Sequence, residues 1–451
     1  MYWSTAAGWS RPEAERLDPK KLWSQKWAYH LTESERFGAN VRWQPLDSLT
    51  LRAAYLRHTD VEESRLVFNT LQSTATYNQQ IYALAPREFS IWGGYAYADL
   101  EFATGGVTHK LTTGFHTSDY TRYDHTDAFS LVASFTGLPL SDPRYLNEPD
   151  SWTRPGTRPM RVTAGTDSRN WVIGDDVSFN EQWSMLAGVN YTTISLPATA
   201  GVRSYKESAA TPTVAISYKP TEVLTTYVSY MEALESGGAA ADTYAGFPVV
   251  NAGEIKEPLI SDQYEIGAKL AVGNVLLTAA AFNIDKALQY YDVTEVGRPR
   301  YVQDGRQVHR GVELTVTGRV GEQLTLFGGT TLLDAKVKKN RQTPGFEGKT
   351  PPDAAEQLIK LYAEYDILAV PGLTLTGGVS HTGKVYVDGL NTDELPAYTL
   401  VDAGARYAFD LADRPVTLRL NINNLTDEIY WANSSYVGDP RTVSVSMNTQ
   451  F

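Results

Sequence analysis

The sequence contains no cysteine in its 451 residues. Disulfide frameworks, thiolate nucleophiles and cysteine-ligated zinc sites are therefore excluded. Long apolar runs are also absent. Mean hydropathy is −0.31, and the sequence contains no stretch of about 18 apolar residues, the length that a transmembrane helix requires. If the chain crosses a membrane, it must do so as a closed β-barrel, because lipid cannot satisfy the open edge of a sheet.

Basic residues are in the minority. Lys and Arg number 40 against 52 Asp and Glu, which gives a formal net charge of −12. Nucleic acid is not expected as a partner, because binding to phosphates requires a basic surface. The N-terminal residues Met1 to Thr5 contain no cationic start followed by an apolar segment, so no secretory signal is visible.

Alternation of apolar and polar residues is the strongest pattern that is present. It runs through residues 264–270, 312–319, 416–423 and 443–451. Successive side chains of a β-strand point to opposite faces, so each of these segments has one apolar and one polar face. Any one such strand would also fit a soluble β-sandwich.

The lengths of the connections favour a barrel over a sandwich. Short turns alternate with long polar links, as they do in transmembrane barrels with periplasmic turns and extracellular loops. Counting hairpins backward from the C-terminus gives roughly 17 strands, and because single-chain bacterial barrels have an even number, this count suggests that strands are missing. The short turns lie at residues 45–48, 104–106, 181–182, 220–222, 273–274 and 321–323, and the long links span residues 124–161, 235–258 and 338–352.

The last thirty or so residues carry the most specific motif. It consists of Asn424, Leu425, Asp427, Tyr430, Gly438, Pro440, Arg441 and Phe451. These residues resemble the closing signature of TonB-dependent receptors, in which an Asn-Leu-x-Asp-x-x-Tyr element is followed by Gly-x-Pro-Arg and a terminal aromatic residue. A terminal Phe on an alternating strand also resembles the signal that outer-membrane proteins present to the barrel assembly machinery.

Three further segments are similar to strands of the siderophore branch of that family. They are SDQYEIGAKL (residues 261–270), HRGVELTVTGRV (309–320) and LPAYTLVDAGARYAF (395–409). The resemblance is dense from Ser261 onward and looser before it. The loop motif that is usual in haem receptors of the family is not found.

The resemblance implies an all-β fold, a transmembrane antiparallel β-barrel of the outer membrane of a Gram-negative cell. Family members have a 22-stranded barrel that is filled by an N-terminal plug and preceded by a TonB-binding box. Residues 1–451 would then be the barrel domain with about 17 of its 22 strands, lacking the plug and the first five strands, and Met1 would lie in an extracellular loop. That truncation would explain the missing signal peptide.

The function implied by the resemblance is uptake of iron–siderophore complexes, energised through TonB. The ferric siderophore would be a transported ligand, not a cofactor, and the expected partners are outer-membrane lipid, the barrel assembly machinery and, through the missing plug, the TonB complex. Residues 1–451 alone are not expected to couple transport to TonB. Deletion of Phe451 is expected to reduce barrel assembly.

Candidate ligand contacts are aromatic and cationic residues near strand ends. Aromatic faces suit catecholate-like ligands, and a guanidinium suits an anionic chelate. Each aromatic residue has an alternative role as a membrane-girdle or loop-packing side chain. The candidates are Tyr120, Arg122, Tyr123, Tyr290 and Tyr291, together with Trp3 and Trp9.

No catalytic arrangement is found, and an enzyme is not expected. The spacing of His109, His116 and His125 matches no metal-ligand pair on one face. Calcium binding at Asp175 and Asp176 is conceivable, although lumen-facing charge explains the pair more simply. Two other classes of function stay open: a passive outer-membrane pore or adhesin, and a soluble β-rich binding or hydrolytic protein.

Overall fold

The computed structural model describes residues 2–6, 11–199 and 203–449. Trp9 and Phe451 lie outside the described residues. The regular structure is almost entirely β-strand, with two 3₁₀ turns at Ala14–Arg16 and Pro344–Phe346. The strands are β1 (Tyr2–Thr5), β2 (His30–Leu46), β3 (Leu49–Leu71), β4 (Thr76–Thr104), β5 (Val107–His125), β6 (Phe129–Pro139), β7 (Met160–Ser178), β8 (Trp183–Leu196), β9 (Tyr205–Thr221), β10 (Leu224–Glu235), β11 (Thr243–Tyr244), β12 (Phe247–Pro248), β13 (Leu259–Val272), β14 (Asn274–Asp292), β15 (Arg300–Val320), β16 (Leu324–Lys339), β17 (Gln357–Asp366), β18 (Leu373–Thr382), β19 (Val385–Tyr386), β20 (Glu394–Leu395), β21 (Tyr398–Leu411), β22 (Arg414–Asn423), β23 (Trp431–Asn433), β24 (Tyr436–Val437) and β25 (Thr442–Thr449).

One large sheet of 19 strands contains every long strand. Two of its members, β1 and β6, pair only with the outer parts of β3 and β4. The other seventeen (19 less two) form an antiparallel meander in which each strand pairs with its nearest long neighbours along the chain. The expected number of about 17 strands is therefore confirmed.

The connections are sorted by length as the sequence predicts. One end of the sheet, called here the turn end, carries eight links, of which the β2–β3, β4–β5 and β13–β14 links are among the tightest. The other end, called the loop end, carries the long links, which contain the short strands β11, β12, β19, β20, β23 and β24. Gly105 in the β4–β5 turn has φ +64°, a conformation that glycine adopts without the strain a Cβ would cause.

The two faces of the sheet differ in chemistry. One face exposes apolar side chains, such as Ile266 (60 % exposed) and Leu314 (49 %). The opposite face carries polar networks, such as the one in which Asp99 accepts hydrogen bonds from Arg52 and Thr112. A transmembrane barrel turns its apolar face toward lipid, so the apolar face is called the outer face and the polar one the inner face. No helix among the described residues is long and apolar enough to cross a membrane.

The first and last strands of the meander are its two edges. β2 pairs only with β3, and β25 pairs only with β22, among the described residues. Both strands run from the loop end to the turn end, because an odd number of antiparallel strands leaves the first and the last parallel. An all-antiparallel closure therefore requires an odd number of strands between β2 and β25.

Residues 2–6 and 11–28 form a segment, called here the clasp, that joins the two edge regions at the loop end. β1 pairs with the outer end of β3, while Trp3 N–H donates to the carbonyl of Ser435 (2.9 Å). Arg11 forms a 2.6 Å ion pair with Asp393. A buried cluster unites the clasp with loops from both sides; it consists of Trp3, Ala14, Leu17, Trp23, Leu71, Tyr77, Leu138, Leu140, Leu395 and Trp431.

Candidate ligand-binding site

Tyr120 and Phe89 form an aromatic pair on the inner face near the loop end. They lie on β5 and β4, whose register is fixed by the tight turn at residues 105–106, and this register places Tyr120 opposite Ile91 and Phe89 opposite Arg122. The two rings are stacked, with centroids 6.2 Å apart and planes 25° apart. An aromatic pair of this kind offers flat apolar surface to a ligand.

Two arginines flank this aromatic pair, and each is paired with a carboxylate. Arg122 Nε donates to Asp124 (2.8 Å) and to Thr163 (3.1 Å). Arg87 donates twice to Glu62, at 3.0 and 2.7 Å. The guanidinium of Arg87 also lies 5.2 Å from the centroid of Phe89. The patch is thus aromatic and close to electrically neutral, and an anionic chelate would have to displace a carboxylate to engage either arginine.

Tyr123 does not share this patch. It is three positions from Tyr120 along β5, and successive strand residues alternate between faces, so its side chain points to the outer side. Its cross-strand partner is Glu88. The structure therefore brings Tyr120 and Arg122 together and separates Tyr123 from both.

Tyr290 lies at the loop end of β14, where it is packed and not free. Only 5 % of it is exposed, and its hydroxyl donates to Asp304 Oδ1 (2.6 Å). Burial, reinforced by this hydrogen bond to a carboxylate, raises the pKa of Tyr290 to about 12. Tyr290 therefore remains a neutral donor that holds β14 to β15.

Tyr291 belongs to a stack of tyrosines beneath the β10–β13 loop. Its ring lies 4.3 Å from that of Tyr244 and 5.0 Å from that of Tyr301, centroid to centroid. Its hydroxyl accepts a hydrogen bond from the Ala241 N–H (3.1 Å). Burial raises the pKa of Tyr301 to about 12, so this phenol too is a neutral donor, and it donates to the Gly237 carbonyl (3.0 Å).

Tyr291 also lines a cavity of about 470 Å³ at the loop end. The cavity wall includes Arg203 and Asp242, which form a 3.0 Å ion pair. Its volume is in the range of small-ligand pockets. Five strands of the meander, β7, β8, β9, β10 and β13, lie between β5, which carries Tyr120, and β14, which carries Tyr291.

The ring partners of the predicted tyrosines, Phe89, Tyr244 and Tyr301, and the arginine beside Phe89, Arg87, are not among the predicted contacts. For Phe89 a signal was available, because cross-strand partners of the β4–β5 hairpin have numbers that sum to 211, as in Ile91 and Tyr120. Counting back from the turn places Phe89 opposite Arg122. The loop residue Tyr244 had no comparable signal, because its position depends on contacts distant in sequence.

The C-terminal motif forms a compact, hydrogen-bonded structure in the β22–β25 loop. Asn424 has φ +51° and is buried, and its side-chain amide donates to the carbonyls of Glu428 (2.8 Å) and Asp439 (3.1 Å). Its backbone N–H donates to Asp402 (2.8 Å). Asn424 therefore holds the two ends of the loop together and ties them to Asp402 on β21.

The remaining motif residues make further contacts within this loop and with the clasp. Tyr430 stacks on Tyr398 with centroids 4.1 Å apart, and a Cβ at position 438 would overlap the Tyr430 ring, which explains Gly438. Asp427 accepts from the N–H of Arg441 (3.1 Å) and from Lys20 of the clasp. Three further hydrogen bonds involve motif residues. Leu425 N–H donates to the Val401 carbonyl (2.6 Å), and Arg441 Nη1 donates to the Leu425 carbonyl (3.3 Å). The Pro440 carbonyl accepts from the hydroxyl of Thr442 (3.0 Å).

The other polar candidates are dispersed. His109 pairs with Asp175 (2.7 Å), whereas the neighbouring Asp176 points to the opposite face and lines an inner-wall cavity with Lys110. His116 bonds to the Tyr97 hydroxyl (2.8 Å). Within the part of the chain that the structure describes, no group of three or more His, Cys, Asp or Glu could hold a metal ion.

Trp3, a further candidate ligand contact, is 2 % exposed. Its ring packs edge-on against Trp23, with centroids 5.6 Å apart. It therefore serves the clasp and presents no surface to a ligand.

Comparison with known proteins identifies the architecture. Residues 2–425 match the family model for the TonB dependent receptor-like β-barrel. The chain is 30 % identical over 365 residues to the ferrichrome receptor FcuA of Yersinia enterocolitica, an alignment that covers 78 % of this chain and 47 % of that protein. It is 27 % identical to the probable TonB-dependent siderophore receptor PiuA of Acinetobacter baumannii, covering 73 % of this chain and 48 % of the relative. The chain thus spans about half the length of these curated relatives.

A solved structure is similar over the whole chain. It is BauA, the ferric preacinetobactin receptor from Acinetobacter baumannii, at 28 % identity with a TM-score of 0.85, covering 100 % of this chain and 67 % of that one.

Proposed function

This chain belongs to the TonB-dependent receptor β-barrel family, and from that premise we propose that it is the barrel of an outer-membrane receptor for ferric siderophores. It is a transmembrane antiparallel β-barrel of the outer membrane. The observation that supports the siderophore assignment best is the likeness of its whole length to the ferric preacinetobactin receptor. The Tyr120 patch and the Tyr291 cavity provide aromatic and charged surface at the loop end, where an extracellular ligand would arrive.

The proposal includes further strands and a TonB-coupled plug. The parallel edges β2 and β25 require an odd number of intervening strands, and five more would bring the seventeen to the 22 strands typical of plugged transporters. About a third of the related receptor structure lies outside the region that this chain covers. That remainder has room for five strands and a domain within the barrel.

Binding of ferric siderophores to the purified chain tests the assignment. Ferric hydroxamate, ferric catecholate and ferric citrate complexes would be titrated into the chain in detergent micelles, with tryptophan fluorescence as the readout. Saturable quenching is expected with one ferric class at micromolar concentration or below, as for a specific ligand site. Each metal-free siderophore is the matched control.

Absence of saturable binding by all three ferric complexes, in a preparation that migrates as a folded barrel before heating on SDS gels, would contradict the proposal. Passage of sugars through liposomes that contain the chain, combined with no ferric binding, would favour the passive-pore alternative instead.

A further inference from the structure

Arg42 stands unpaired on the edge strand β2. It lies on the inner face, since Val41 and Trp43 on either side of it are exposed on the apolar outer face. Its cross-strand partner is another arginine, Arg52. Arg52 is engaged by Asp99 at 2.6 and 3.0 Å, and that carboxylate also accepts from Thr112 (2.7 Å). No residue within the described ranges forms a hydrogen bond or ion pair with Arg42.

A second inner-facing arginine, Arg419, repeats this arrangement beside the other edge. It lies on β22 directly opposite Arg406, whose guanidinium is held by Glu364 at 3.0 Å. On its other side, toward the edge, Arg419 faces Ser446 of β25. Among the described residues Arg419 likewise has no hydrogen-bond or ion-pair partner.

The two free arginines lie at a similar depth in the barrel. Arg42 precedes Leu46, the turn-end limit of β2, by four positions (42 to 46), and Arg419 follows Arg414, the turn-end start of β22, by five (414 to 419). An uncompensated cation therefore lies at one level on each side of the gap between β2 and β25: Arg42 on the edge strand β2 itself, and Arg419 on β22, one strand behind the edge strand β25. Like charges directly opposite each other destabilise a sheet. The Arg42–Arg52 and Arg406–Arg419 pairs would therefore each be stabilised by a further carboxylate beyond those that bind Arg52 and Arg406.

We propose that the strands filling the gap between β2 and β25 carry carboxylates on their inner face at this level, which pair with Arg42 and Arg419. This inference rests on the proposed function, because it assumes that further strands complete the barrel. A free strand edge accepts a new strand through main-chain hydrogen bonds. Covering an arginine without pairing it is costly, whereas a carboxylate matches the guanidinium with two parallel hydrogen bonds. The partner is thus an antiparallel strand with an acidic inner face.

The test uses two labelled strand peptides of about ten residues, the length of a membrane-spanning strand. Both alternate Val or Tyr on one face with Thr on the other, and they differ only in the central inner-face residue, Glu in one and Lys in the other. Fluorescence anisotropy would measure their binding to the full chain in detergent micelles. We expect the Glu peptide to bind about three- to tenfold more tightly than the Lys peptide, with the ratio decreasing as salt is added.

Charge reversal locates the effect. Arg42→Glu should reduce or invert the preference at the β2 edge, and Arg419→Glu should do the same beside β25. Arg57→Glu is the matched control. Successive residues of β3 alternate between faces, and Arg57 lies on the outer face, opposite to that of Arg52. It should leave the ratio unchanged.

Equal binding of both peptides, no binding of either, or a ratio that Arg42→Glu and Arg419→Glu do not alter would overturn the inference. Concentration-dependent dimerisation of the chain with exclusion of both peptides would also overturn it, since the edges would then accept a second copy. Siderophore binding measured on the same preparation separates this failure from failure of the proposed function.

Discussion

Tyr120 and Tyr123 lie three positions apart on β5, yet they face opposite sides of the barrel wall. Tyr120 stacks on Phe89 with ring centroids 6.2 Å apart, on the inner face. Tyr123 pairs in register with Glu88 and points to the outer side. At the scale of single residues, alternation along the strand therefore decides which of two identical side chains can contact a ligand inside the barrel at the loop end.

Substitution of these tyrosines separates a ligand contact from a structural role. Tyr120→Ala is expected to weaken binding of the ferric siderophore about two- to twelvefold, because an aromatic contact contributes about 0.5–1.5 kcal/mol. Tyr123→Ala, the matched control, should leave the affinity unchanged. Tryptophan fluorescence titration measures both. Equal losses in the two variants would mean that the β5 tyrosines act through folding and not through contact.

Residues of the C-terminal motif show what sequence reasoning can and cannot supply. The motif is visible in the sequence, but its physical role depends on hydrogen bonds from Asn424 to two carbonyls and on the contacts of Asp427 with Arg441 and Lys20. Lys20 lies 407 positions away from Asp427. No local pattern encodes such a contact, so the motif could be predicted while its partner in the clasp could not.

At the scale of elements, the hairpins were predictable and the loops were not. The turns predicted at residues 104–106 and 273–274 agree with β5 beginning at Val107 and β14 at Asn274, because Gly and Asn favour tight turns. The clasp had no such signal. Its position follows from burial of Trp3, Leu17 and Trp23 against loops from both edges of the sheet, which are long-range contacts.

Arg11 adds a part-buried ion pair to the apolar burial that holds the clasp. Its side chain is 11 % exposed, and that of its partner Asp393 is 21 %; Nε of Arg11 also donates to the Ser434 carbonyl (2.8 Å). Arg11→Ala would leave a half-buried carboxylate unpaired, so we expect the free energy of unfolding to decrease by about 1–3 kcal/mol. Urea denaturation followed by the fluorescence of the clustered tryptophans would measure this change.

Lys21→Ala provides the control within the clasp. Its ammonium is 3.9 Å from Asp142, and both side chains are exposed, so the change should be within about 0.5 kcal/mol. Equal stability of the Arg11→Ala variant and the unmodified chain would show that hydrophobic burial alone holds the clasp.

At the scale of the whole molecule, the outer face determines the environment that the barrel requires. Side chains such as Ile266, Leu314 and Val445 are 60 %, 49 % and 75 % exposed, and they recur along many strands of one face. A soluble protein rarely exposes so large a continuous apolar surface, whereas a lipid-facing barrel needs one. The apolar alternation seen in the sequence is thus the most faithful predictor of the fold.

Adjacent positions on β15 test this orientation directly. Leu314 lies six positions from the turn-end limit Val320 (314 to 320), on the outer face and near the middle of a membrane-spanning strand. Leu314→Arg is expected to disfavour insertion by about 2–4 kcal/mol, the cost of a cation at the bilayer midplane. Thr315→Arg places the same charge on the inner face, where insertion should proceed nearly as in the unmodified chain. Folding into liposomes, followed by the shift in gel migration on heating, measures the folded fraction. If Leu314→Arg folds as well as Thr315→Arg, the apolar face does not meet lipid, and the soluble alternative would regain support because only there would a surface arginine be neutral at both positions.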